Sequence, residues 1–175
     1  MDNKAQSTAS LTIRPLEDAD REWVQQLMCE RWGAEEVVVH GTIYYPADLP
    51  GFVALQGERP AGLITYHIEG NACELVTIDS LVSDMGIGTA LLDAVAQAAV
   101  SAGCARLWLI TTNDNIDALR FYQKGGFRLV AVHRGAVDES RALKPSIPLM
   151  GEHGIPIRDE IELEKMLVQG GGTGS

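Results

Sequence analysis

Two glycines, Gly86 and Gly88, flank Ile87 at the point where a strand-like run gives way to an amphipathic helix. Glycine lets the backbone approach an anion closely and take positive φ values. The first N–H groups of a helix have no intrahelical acceptor, and the helix dipole adds positive potential beside them. Gly86, Ile87, Gly88 and Thr89 therefore read as a cradle for a phosphate group, although a tight turn without a ligand uses glycine in the same way. The spacing excludes two common nucleotide sites. Leu91 stands where a third glycine of G-x-G-x-x-G belongs, and there is no G-x-x-x-x-G-K-[ST] run. The ligand expected is phosphate-bearing, but neither a dinucleotide nor a hydrolysed nucleoside triphosphate. His40, His67, His133, His153 and the cysteines Cys29, Cys73 and Cys104 show no metal-ligand spacing, so no metal is expected. The three thiols read as reduced and mostly buried.

The elements that must position this turn follow from periodicity. Residues 11–14 read as a strand stopped by Pro15, and Asp18 as the cap of a helix reaching Trp32, with Trp23, Leu27 and Met28 on its buried stripe. Residues 35–49 are ambiguous, because Val37-Val38-Val39 is β-prone while Pro46 and Pro50 confine regular structure. Residues 51–55, 61–68 and 74–78 read as strands. From Ile87 the positions Leu91, Leu92, Val95, Ala99 and Ala102 keep one helical face, and Gly103 ends it. Residues 107–110 form an apolar run suited to a central strand buried on both sides, with Trp108 in the core. A helix over 116–124, capped by Asp114 or Asn115, precedes strands at 127–133 and 157–167. The excursion 135–154 between those strands reads as a substrate-covering loop. The order β-α-β-β-β-α-β-α-β-β predicts an α/β domain over 11–167, a mixed sheet with helices on both faces. A flexible start at 1–10 and a flexible glycine-rich tail at 168–175 flank it.

Asn115-Ile116-Asp117-Ala118-Leu119-Arg120-Phe121-Tyr122-Gln123-Lys124-Gly125-Gly126-Phe127 resembles the N-x-x-A-x-x-F-Y-x-x-x-G-F signature of the GNAT superfamily of N-acyltransferases. The run lies one strand after the glycine turn, at the distance that superfamily shows. The resemblance covers 74–127 in motifs and 11–167 in element order, and it implies a mostly antiparallel central sheet. It further implies acetyl-CoA as co-substrate, its pyrophosphate on Gly86, Ile87, Gly88 and Thr89. Pantetheine would pair with splayed backbone at Ile78, Asp79 and Ser80, with Asn115 and Ala118 on its other side. The superfamily's turn usually opens on Gln or Arg, where this chain has Ser83 followed by Asp84. Without that side chain, backbone N–H groups must carry the grip on phosphate.

Acetyl transfer to an amine needs a deprotonated amine, stabilisation of charge on the thioester oxygen, and a proton for the departing thiolate. The resemblance makes Tyr122 the general acid, where a core tyrosine with a surface-directed hydroxyl is the alternative. A backbone N–H near Ile78 would polarise the carbonyl. Glu74 resembles the glutamate of the histone-acetylating branch, and burial would raise its pKa toward that of a useful base. A solvent-facing carboxylate at the strand edge is the alternative, Asp79 is a rival base, and ordered water serves many members of the superfamily.

Composition bounds the partners. Hydrophobic residues make up 46% and charged residues 22% of 175 positions, as in an ordinary globular domain. A net charge of -10 argues against nucleic acid and favours encounter with cationic amines. The acceptor expected is a primary amine of a small molecule or an exposed protein amino group. His133, His153, Glu152, Asp159, Glu160 and Glu162 are candidates to line its site, with solvated surface positions as the alternative. No apolar run reaches the ~18 residues that span a bilayer, so no membrane association and a cytoplasmic location are expected. The final strand offers an edge for pairing across a homodimer. A CoA-binding module without transfer activity, and an enzyme using a different acyl-CoA, are the alternative readings.

Overall fold

The computed structural model describes residues 10–168. The expected flexible termini fall outside those residues except at Ser10 and Val168. In chain order the elements are β1 (Leu11–Pro15), α1 (Arg21–Trp32), β2 (Val37–Val39), β3 (Thr42–Tyr44), β4 (Gly51–Gln56), β5 (Arg59–Glu69), β6 (Ala72–Ser80), α2 (Ile87–Ser101), β7 (Arg106–Thr112), α3 (Ile116–Lys124), β8 (Arg128–His133), α4 (Ala136–Leu143) and β9 (Glu160–Met166). Seven strands form one sheet in the order β1-β4-β5-β6-β7-β9-β8, while β2 and β3 pair as a separate hairpin. Neighbours in the large sheet are antiparallel except β6 and β7, which run parallel because α2 returns the chain between them. The expected mixed, mostly antiparallel α/β sheet is the observed one.

Each face of the sheet carries its own core. On one, Ile87, Leu91, Leu92, Val95 and Ala99 of α2 pack on Ile64, Leu75, Leu107, Leu109 and Leu163. On the other, Val24, Leu27 and Met28 of α1 cover Leu63 and Val76, with Val37 of the hairpin beside them. Burying Ile87, Leu91, Leu92 and Val95 contributes about 1.5–3 kcal/mol each. That outweighs the about 1 kcal/mol a side-chain cap would add at the start of α2, where Gly86 provides none. The helix is held by its face, which leaves its N-terminal N–H groups open.

Several elements differ from expectation. Asp18 lies in a short 3-10 turn rather than capping α1, and Asp20 accepts the Glu17 N–H at 2.8 Å just before the helix begins. The ambiguous 35–49 segment is the β2–β3 hairpin followed by a 3-10 turn. The 135–154 excursion contains α4. In β7 only Leu107 and Leu109 are buried, while Trp108 and Ile110 are partly exposed. Trp108 faces the hairpin, with the His40 ring 5.4 Å from its own. Phe127 precedes β8 and packs against Tyr122, ring centroids 5.4 Å apart. Of the thiols, Cys73 and Cys104 are buried and Cys29 is exposed. Burial pushes Cys73 up to about 12, which leaves it unreactive.

Candidate active site

The parallel pair comes apart partway along its length. β6 faces β7 from Ala72 opposite Arg106 to Leu75 opposite Leu109, and no further. Beyond that point β6 stays with β5 as far as Ser80, and β7 stays with β9 as far as Thr112. Between them opens a cleft of about 380 Å³, with Val76, Ile78, Ser80, Ile110 and Thr111 on its strand walls and Asn115, Ala118, Phe121 and Tyr122 of the α3 region across from them. Val76 is a β-bulge: Thr65 faces Thr77 and Tyr66 faces Leu75, so Val76 has no opposite residue. A bulge re-aims the backbone, here at the apex where the strands part. The free edge of β6 presents N–H and C=O groups to the cleft, as a strand edge does to an extended ligand.

The glycine turn closes one end. Gly86 is in the left-handed region, φ 65°, and leads into α2. The N–H groups of Ile87, Gly88 and Thr89 have no acceptor within the helix. Gly88 lines the cleft, where a Cβ would lie 3.1 Å from Phe121 Cζ and 3.5 Å from Ser80 Oγ. Ser83 and Asp84 are both exposed. A further cavity of about 440 Å³ begins at Thr89 and carries Arg120, Lys124 and Lys165, with Asp93 and Asp117. Sequence reasoning missed these three cations. Arg120 and Lys124 lie inside the recognised motif at positions it leaves variable, and Lys165 comes from β9, remote in the chain. Together the turn and the cations fit an elongated ligand whose phosphate groups lie outside a narrow, largely apolar channel.

Tyr122 is buried, 5% exposed, and lines the cleft. Its ring meets Phe121 and Phe127 edge-on at 5.1 and 5.4 Å. Among the described residues nothing hydrogen-bonds its hydroxyl. Burial and then the negative charge of Asp79 push the phenol above the ordinary tyrosine range. Asn115 fixes the start of α3 by accepting the Ala118 N–H at 3.1 Å. Asp114 does not cap: it accepts the Thr112 hydroxyl and the Glu152 N–H, the latter at 3.0 Å, and so anchors the loop before β9.

The candidate carboxylates separate. Ile78 and Ser80 line the cleft, whereas Asp79 turns to the α1 side, accepting from Trp32 Nε1 at 2.9 Å and Arg31 Nε at 3.3 Å. Burial raises its pKa, and those two donors oppose the rise. There it borders an open cavity of about 580 Å³ with Glu30, Arg31, Trp32 and Glu152. That cavity shares Trp32, Ile78 and Asn115 with the cleft, so the two are continuous. Glu74 is the third residue of β6 and 3% exposed, not a solvent-facing edge residue. Both its oxygens are engaged by the hairpin: Oε2 accepts from the Tyr44 hydroxyl at 2.7 Å, and Oε1 lies 2.7 Å from His40 Nε2. Glu160 is buried as well, not on a solvated face. Glu162 pairs with Arg106 and, at 3.0 Å, with His133, while Asp159 accepts the Gly135 N–H. Asp117, Glu152 and His153 bring donor atoms within 4.8 Å of one another, all three residues exposed.

A parallel pair splayed over a bulge, with a glycine turn at one end and a buried tyrosine inside, defines an acyltransferase of the α/β class described by the resemblance. Residues 15–127 match the family model for the acetyltransferase (GNAT) family, and the chain belongs to that family. It is 40% identical over 158 residues, 90% of this chain and 99% of the other, to the uncharacterized protein YdhI of Bacillus subtilis (strain 168). L-ornithine N5-acetyltransferase NATA1 of Arabidopsis thaliana is 30% identical over 112 residues, 64% of this chain and 41% of that protein. Among solved structures, a Bacillus subtilis acetyltransferase in complex with CoA superposes with a TM-score of 0.66 at 20% identity, covering 91% of this chain and 100% of that one. In this chain, no described helix is long and apolar enough to cross a membrane.

Proposed function

We propose that the chain transfers an acetyl group from acetyl-CoA to a primary amine, with Tyr122 as general acid and Glu74 serving the amine side. The observation that carries this reading is the cleft itself, where the free edge of β6, the glycine turn and the Tyr122 hydroxyl converge. Bound acetyl-CoA supplies the activated thioester. The residues that would hold it are Gly86, Ile87, Gly88 and Thr89 at the phosphates, Arg120, Lys124 and Lys165 beside them, and the backbone of Ile78–Ser80 (78–80) with Asn115 and Ala118 along the channel. The three cations make up for the side chain that Ser83 lacks. N–H groups at the Val76 bulge and Ile78 polarise the carbonyl, and Tyr122, kept protonated, delivers a proton to the departing sulfur.

The acceptor enters from the α1 side, through the cavity walled by Glu30, Trp32, Asp79 and Glu152. Three carboxylates against the single guanidinium of Arg31 favour a cationic amine, and the ornithine specificity in the name of the NATA1 relative points the same way. The test is a thiol-release assay with acetyl-CoA across small mono- and diamines and lysine-bearing peptides, with Tyr122→Phe as control. Release of CoA dependent on an amine and lost in the control is expected. Tight acetyl-CoA binding with no turnover on any amine would sink the reading.

A further inference from the structure

Glu74 is an odd base as it stands: buried, with neither oxygen free to meet an amine. The group joined to it is not so enclosed. The His40 side chain is 30% exposed against 4% for Glu74. Its place is set by the two-residue turn His40-Gly41, φ 42° and 77°, which closes the β2–β3 hairpin and brings the ring down over Trp108. From the main chain, the His40 N–H donates to Oε1 of Glu160 at 3.3 Å, which pins the turn to β9. The ring nitrogen nearer β6, Nε2, meets Glu74 at 2.7 Å, while the far nitrogen, Nδ1, has only the loose contact of Thr42 Oγ1 at 3.4 Å.

We infer that Glu74 acts through His40, whose Nδ1 takes the proton from the acceptor amine. The inference rests on the transfer reading given above. A carboxylate alone ionises near pH ~4 and is a feeble base toward an ammonium group. A carboxylate that holds the Nε2–H of an imidazole fixes the tautomer with a free Nδ1 lone pair and stabilises the imidazolium that forms. Glu74 meets that description, and Tyr44 locks its second oxygen so that it cannot turn away. In the step, an N–H bond of the ammonium breaks and its electron pair stays on nitrogen for attack. The proton adds to Nδ1, directly or across one water, and leaves later to solvent at the exposed edge of the ring. Glu74 remains ionised throughout.

The charged and titratable groups around His40 agree in sign. Glu74 of β6 and Glu160 of β9 both favour the imidazolium, with the hydrogen bond to Glu74 the largest cause. Tyr44 faces Glu74 from β3 and is itself pushed up by burial and by that carboxylate. Arg106 of β7 lies over Trp108, 5.1 Å from its centroid, and is paired with Glu162 and Glu164. His40 therefore gains its proton above the ordinary histidine value, and the active, neutral ring appears as pH rises through that point.

The experiment compares wild type, His40→Asn, Glu74→Gln and Tyr44→Phe, each as the full chain. Asn tolerates the left-handed turn, and thermal melts check that each variant folds. Initial rates with saturating amine and acetyl-CoA are taken across pH 5–9, with and without added imidazole, beside an NMR titration of the histidine rings. The acid limb of kcat should disappear in His40→Asn, with a loss of about tenfold or more at neutral pH that imidazole partly restores. KM for acetyl-CoA should stay within about twofold. In Glu74→Gln the His40 titration and the acid limb should both move to lower pH. An unchanged rate and limb in His40→Asn overturns the inference and leaves the transfer reading standing. A loss that imidazole does not touch, with KM for acetyl-CoA raised in parallel, makes His40 structural and overturns it too. A wild type that acetylates no amine removes both.

Discussion

Tyr122 is held in its protonated form by its own burial and, after that, by the negative charge of Asp79. The two lie on different elements, α3 and β6, and Asp79 reaches the α1 side where Trp32 and Arg31 hold it. One carboxylate thus borders the amine entrance while its field keeps a phenol neutral inside the cleft.

Asp79→Asn should change the pH dependence of stability in a definite direction. Burial raises the Asp79 pKa in the folded chain, so the folded state keeps a proton that the unfolded state has lost. The stability this group contributes is fully present below the unfolded value of about 3.9, and is lost as pH rises through the raised folded value. Melting temperatures of wild type should fall relative to Asp79→Asn across that window and stay apart above it. Parallel curves from pH 3 to 7 would show that Asp79 is not desolvated. Arg31 is half exposed, so losing its partner adds little.

Gly88→Ala separates stability from binding. Alanine is the better helix former by about 1 kcal/mol, but its Cβ would press on the Phe121 ring and approach Ser80. That ring must shift toward the cleft or α2 must move off α3. Calorimetry should find acetyl-CoA binding weakened about tenfold or more while the melting temperature changes by no more than a few degrees. Unchanged affinity would remove the glycine turn from the binding site.

How far the sequence was legible follows the range of the interactions involved. Ile116–Lys124 was read to the residue, because Asn115 at one end and Gly125-Gly126 at the other are local signals. The face of α2 from Ile87 was legible for the same reason. The hairpin was not, since strands of three residues are too short for periodicity, and it is their closing turn at His40-Gly41 that reveals them. Trp108 reads as core by residue type, yet its face of the sheet is covered by that unrecognised hairpin. The Val76 bulge and the parting of β6 from β7 exist only relative to partner strands. The engagement of Glu74 by His40 and Tyr44 likewise depends on contacts more than 25 residues apart.

Asn115→Ala should lower stability and activity together. The side chain accepts the Ala118 N–H at the start of α3, and losing such a cap costs about 1 kcal/mol. Because α3 carries Tyr122 and one wall of the cleft, fraying of its first turn reaches the site. A drop of several degrees in melting temperature and a raised KM for acetyl-CoA are expected. Asn115→Asp, which keeps an acceptor, should recover the melting temperature. Equal melting of all three chains would show that the cap contributes nothing.

Tyr122→Phe removes one hydroxyl and leaves the ring. The packing on Phe121 and Phe127 is retained, and among the described residues the hydroxyl has no hydrogen bond to lose. Melting temperature should therefore hold within about two degrees. A positioned general acid is worth about 10²–10⁴ in rate, so kcat should fall by that order with the affinity for acetyl-CoA preserved. The raised phenol also predicts that wild-type activity shows no falling limb from Tyr122 below pH ~10. A basic limb near pH 8 that vanishes in Tyr122→Phe would mean the phenol is not buried as found, while a fully active Tyr122→Phe would move the proton donor elsewhere in the cleft.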